Sequence, residues 1–287
     1  MKREKGEGFG AALHKNRRAV SIIYVLLRLS VVAVLIAQVF NGDFENVMLC
    51  VLTLFLFTMP SIMERRLKIE LPDTLEIIIL LFIYAAEILG EIKAYYVTFP
   101  FWDTMLHTLN GFLCAAVGFC LIDLLNRSKR FTFSLSPLYV ALAAFCFSMT
   151  VGVLWEFFEC VMDQLFYLDM QKDSIIPAIS SVTLAPSGSK PFYLGDIQDV
   201  ILVFGDGTRQ ALGLGGYLDV GLLDTMEDLF VNFVGASVFS MVGYFYIKRR
   251  GRGRFARRFI PRVLSEEEAA AENAEQTASD PASSDPQ

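Results

Sequence analysis

Residues 135–163 read LSPLYVALAAFCFSMTVGVLWEFFECVMD. No charged side chain occurs from Leu135 to Trp155, and then Glu156, Glu159 and Asp163 follow in quick succession. An uncharged run of roughly 20 residues is long enough, as a helix, to cross a hydrocarbon core about 30 Å thick. Inside hydrocarbon every backbone N–H and C=O needs an internal partner, which a helix supplies. The stretch therefore reads as a membrane span. Its three carboxylates fall at i, i+3 and i+7, on one helical face. An acidic face closing an apolar helix calls for a reason.

Other runs of this kind flank it. The expected spans are residues 19–40, 44–63, 71–89, 102–125, 135–158 and 224–247. The chain is 54% hydrophobic, above the roughly 45–50% of a soluble domain. The fold class is all-α: a polytopic transmembrane helical bundle of about six spans in one membrane domain, residues 19–247. A basic leader, 1–18, precedes it. The first span is too long for a signal-peptide core and lacks a small-residue cleavage site, so it reads as uncleaved. Pro60 is placed to kink or end the second span, and Pro72 suits the first turn of the third. Residues 249–262 (RRGRGRFARRFIPR) are basic, and the residues after them are acidic and poor in aromatics. Residues 248–287 thus read as a disordered cytoplasmic tail whose basic part lies against anionic lipid, with no nucleic-acid partner implied. The five cysteines show no C-x-x-C spacing and read as small buried hydrophobes.

Six spans put both termini on one side. The termini and the even-numbered connectors carry twenty Lys and Arg, and the odd-numbered connectors carry four. The positive-inside bias assigns both termini to the cytoplasm of a multi-pass cell-membrane protein. The long connector, 168–223, then lies outside, and DVILVFGDGTRQAL within it resembles a β-hairpin around Gly205-Asp206-Gly207.

This topology gives the polar residues a common depth at the outer ends of spans three to six. Asp103 and His107 are spaced i, i+4, as are Asp224, Asp228 and Asn232, so each set shares a face. Gly235 and Ala236 follow one turn on and permit close helix packing. Asp103, His107, Glu156, Glu159, Asp224 and Asp228 form the expected metal-binding set, with Asn110, Asn232, Glu87 and Arg28 in support. Carboxylates alone suit Mg²⁺, Mn²⁺ or Ca²⁺, and adding an imidazole admits Mn²⁺, Fe²⁺ or Zn²⁺. Solvated helix ends are the competing reading for the carboxylates, and interhelical hydrogen bonding for His107 and Asn232. Arg28, near the middle of the first span, reads as an ion-pair partner of Glu76 or Glu87.

At these residues the chain resembles the YjdF-like family of bacterial integral membrane proteins, which has no assigned activity. WDTMLHTLNGF, LWEFFECVMD and DTMEDLFVNFVGA look like its three signature segments, in order, over roughly residues 95–246. The resemblance maps onto Asp103, His107 and Gly111, then Glu156 and Glu159, then Asp224, Thr225, Asp228, Gly235 and Ala236. It implies a membrane protein and supports the polar site, and it implies no reaction.

Three functions fit this pattern. One is a protein binding a divalent cation in an outer-facing carboxylate and histidine pocket. A second is a membrane-interface enzyme acting on a lipid or lipid-linked substrate, whose headgroup would meet the same pocket. No nucleophile motif or phosphate loop supports that chemistry. The third is a structural or assembly role, in which the carboxylates hold helix ends together.

Overall fold

The computed structural model describes residues 7–127, 135–186, 190–249 and 256–263. Residues 1–6 of the leader, 128–134 of the connector before the fifth span, and the acidic tail from 264 onward lie outside the described residues. Eight helices organise the rest: α1 (Glu7–Asn41), α2 (Phe44–Leu56), α3 (Met59–Leu67), α4 (Asp73–Tyr84), α5 (Tyr95–Thr98), α6 (Trp102–Arg127), α7 (Pro137–Phe166) and α8 (Leu222–Lys248). Among the described residues, five helical stretches are long and apolar enough to cross a membrane: Ala19–Asn41, Phe44–Leu67, Trp102–Asp123, Pro137–Phe166 and Leu222–Lys248. Their outer faces agree with that length. On α1, Ile22, Leu26, Leu29, Ile36 and Phe40 are all at least half exposed, an apolar stripe that water would penalise and lipid would not.

Local chemistry sets the breaks. Asn41-Gly42-Asp43 ends one helix and starts the next. Gly42 takes a positive φ of 75°, and the Asp43 carboxylate caps α2 by accepting from Asn46 N at 3.1 Å. The second span is interrupted at Phe57–Thr58, and α3 restarts with Pro60 in its first turn, where a missing N–H costs nothing. Ser136 precedes Pro137 at the start of α7, and its hydroxyl accepts from Tyr139 N. The third expected span, 71–89, is not a single α-helix. After Tyr84 it widens into a π-helix, Ala85–Ile92, and α4 alone falls short of a span.

The chain forms two compact units, residues 1–149 with 232–287, and residues 150–231, with both boundaries inside helices (α7 and α8). In the first unit one core packs α6, α7 and α8 through Ala115, Ala116, Phe119, Val140, Ala144, Ala236 and Phe239. A second gathers Val31, Cys50, Phe57, Leu80 and Ile83 from α1, α2 and α4. Cys50 and Cys120 are buried as expected, whereas Cys146 and Cys160 are exposed.

Two expectations need correction here. Arg28 does not meet Glu76 or Glu87. Its guanidinium carbon lies 4.5 Å over the Tyr24 ring, one turn back on the same helix, in a cation–π contact. The tail is also more than a disordered segment. Residues Arg262–Val263 (β8) pair antiparallel with Ile69–Glu70 (β1), and Ala256 and Ile260 enter the α6–α7–α8 core. Three apolar residues among the arginines, Phe259, Ile260 and Pro261, supply the burial that composition averaged away.

The second unit holds the end of α7, the start of α8 and the connector between them. The connector carries three two-stranded pairs: β2 (Ile175–Ile176) with β7 (Tyr217–Leu218), β3 (Ile179–Ser181) with β4 (Phe192–Leu194), and β5 (Ile201–Val203) with β6 (Arg209–Ala211). The last is the expected hairpin, with Val203 opposite Arg209 and the Asp206 carboxylate accepting from Thr208 N at 2.9 Å.

In the first unit α6 and α8 approach so closely that two glycines have no alternative. A Cβ on Gly235 would overlap the Thr108 carbonyl oxygen, and one on Gly111 would overlap that of Asn232. Gly111→Ala and Gly235→Ala should each destabilise the protein by about 1–3 kcal/mol, the usual cost of overpacking. Gly205→Ala, where a Cβ meets open space, should leave the thermal unfolding midpoint unchanged. Equal midpoints for all three variants would contradict this contact.

Candidate functional site

The polar residues of the first unit gather around that helix contact. His107 lies on α6 one turn after Asp103, with its Nε2 3.5 Å from the Asp103 Oδ1. One turn further, Asn110 donates to the Asn232 side-chain oxygen on α8 at 3.5 Å. Asn232 in turn points its amide at the Met149 sulfur, 3.6 Å away. Ser148 on α7, fully buried, donates to the Gly111 carbonyl at 2.7 Å. These bonds tie three membrane helices together at one level, in a medium where an unmet polar group is costly. Sequence reasoning missed Ser148. Its only signal was a hydroxyl pair, Ser148 and Thr150, in an otherwise apolar run.

Because α8 is one continuous helix, Asp228 stands a single turn before Asn232. Asp103, His107 and Asp228 each offer one ligand atom, and all three atoms lie within 4.8 Å of one another. Asp228 is only 3% exposed and His107 8%.

The other expected site residues have different surroundings. Glu156 and Glu159 are both buried on α7, and Glu159 accepts from the Trp155 indole N–H at 2.8 Å. Asp224 accepts from Lys172 N at 2.7 Å. Glu87 lies in the π-helix. None of these four is in the three-residue group.

The second unit uses its carboxylates to hold the connector. Asp163, the last acid of the quoted stretch, accepts from Met170 N and Gln171 N at 2.7 and 2.8 Å. Asp219 accepts from Ser174 N and Leu223 N. Partial burial opposes ionisation of Asp219, but these backbone hydrogen bonds outweigh it and hold its carboxyl below the usual range. The acidic face thus divides along its length, and Asp163 meets backbone N–H groups in place of water.

The family described as "Predicted membrane protein (DUF2238)" matches residues 23–180. The chain belongs to this family. The match covers more than half of the chain, and it agrees with the resemblance to YjdF-like membrane proteins of unassigned activity. It also shifts the extent of that resemblance. The family match begins in the first span and includes WDTMLHTLNGF and LWEFFECVMD. The third segment, DTMEDLFVNFVGA, lies beyond its end. No curated protein and no solved structure matches the chain.

Asp219 supplies a pH test. A carboxyl whose folded value is lowered stabilises above its unfolded value, and that contribution is lost as pH falls through the folded one. Asp219→Asn should therefore speed deuterium uptake at Ser174 and Leu223 relative to the parent at neutral pH. The difference should shrink in acid, once the parent carboxyl is itself protonated. A difference that persists in acid would contradict this role.

Proposed function

We propose that this family member is a multi-pass cell-membrane protein that binds a divalent cation through Asp103, His107 and Asp228. The observation that carries this reading is the approach of these three ligand atoms to within 4.8 Å, with His107 and Asp228 buried. Two carboxylates and one imidazole favour Mn²⁺, Fe²⁺ or Zn²⁺ over Ca²⁺, because nitrogen suits the first-row metals better. Asn110, Asn232 and Ser148 then act as positioning residues that fix α6 against α8. The charge bias of the connectors supports an orientation with both termini in the cytoplasm and the group near the outer surface.

Metal analysis of the detergent-purified full chain tests this. The parent should carry close to one equivalent of a first-row divalent metal, and His107→Ala combined with Asp228→Ala should lose it. Equal, sub-stoichiometric metal in both would sink the reading. Asp224→Asn should retain the metal, since its carboxylate serves the Lys172 N–H.

A further inference from the structure

Residues 256–263 pack against the bundle with two distinct faces. Ala256, Ile260 and Pro261 are buried, and the Phe259 ring meets Phe112 edge-on at 5.4 Å. Phe112 meets Phe239 of α8 in the same manner at 5.1 Å. It also follows Gly111, the point where α6 touches α8. The strand pair β1–β8 gives the non-helical backbone of this segment hydrogen-bond partners, which such backbone requires beside a membrane domain. The opposite face is cationic. Arg257 and Arg258 are exposed and belong to a run that also holds Lys248 and Arg249. At the end of α8, Lys248 lies 5.3 Å over the Tyr244 ring and Arg249 5.8 Å over Phe245. Cations seated on aromatic rings at the end of a span mark the headgroup level of a bilayer.

We infer that residues 256–263 form a strap that binds anionic lipid headgroups through Arg257 and Arg258 and presses Phe259 against Phe112, bracing α6 on α8. Charge complementarity selects the occupant, because exposed arginines that follow a membrane span meet lipid phosphates before any soluble anion. The apolar face makes the interaction consequential: lipid held on the outside favours the seated strap, and a seated strap favours the α6–α8 contact. This inference does not depend on cation binding.

The test uses the full chain in nanodiscs of phosphatidylcholine with increasing phosphatidylglycerol, read by thermal unfolding of tryptophan fluorescence. Phosphatidylglycerol should raise the midpoint of the parent. Arg257→Gln with Arg258→Gln, both exposed positions, should need about tenfold more of it for the same rise. Phe259→Ala should lose the rise although both arginines remain, and Phe259→Leu should keep it. The inference is overturned by a parent that does not respond, by a double variant that responds like the parent, or by Phe259→Ala retaining the full rise. It is also overturned if inorganic phosphate in pure phosphatidylcholine produces the same rise.

Discussion

The close approach of α6 and α8 at Gly111 and Gly235 is the constraint on which the rest depends. Lipid gives no hydrophobic push between helices, so association within a membrane rests on packing and on hydrogen bonds across the interface. Here both act at one place. The glycines bring backbone against backbone. The short distance then lets Asn110 reach Asn232 and lets Ser148 reach the Gly111 carbonyl. Asp103 and His107 precede this point on α6, and Asp228 precedes it on α8.

The carboxylates that looked alike in sequence have separate tasks. Asp163 and Asp224 hold backbone N–H groups of the connector, as Asp219, which the sequence did not single out, does within it. Glu159 is engaged by a neighbouring indole on its own helix. Asp103 and Asp228 stand with the imidazole of His107. Acids at the end of α7 and the start of α8 find unpaired backbone amides of the emerging chain, whereas Asp103 and Asp228 find the side chain of His107. That division is why the cation-binding proposal rests on three residues out of the six the sequence singled out.

Much of this was legible in the chain, for identifiable reasons. Five of the six expected spans were readable because hydrocarbon demands length and low charge. The α6 and α8 acids were readable because i, i+4 spacing fixes a face. The hairpin was readable because Gly205-Asp206-Gly207 breaks two apolar runs. Other features left no such mark. The π-helical turn after Tyr84 changes the hydrogen-bond register without changing composition. Arg28 chose the Tyr24 ring over a carboxylate, a choice that spacing alone did not decide. Residues 256–263 were hidden because a few apolar side chains sit among many arginines, and only tertiary contact with Phe112 gives them meaning. Asp224 shares a helical face with Asp228, yet the folded connector captured it.

The proposed cation site of Asp103, His107 and Asp228 is tested at the level of ligands by X-ray absorption at the edge of any metal that the purified full chain retains. The expected spectrum has a nitrogen and oxygen shell at about 2.0–2.2 Å, with the outer-shell scattering of one imidazole, which disappears in His107→Ala. A shell containing sulfur, or an all-oxygen shell unaffected by His107→Ala, would contradict it.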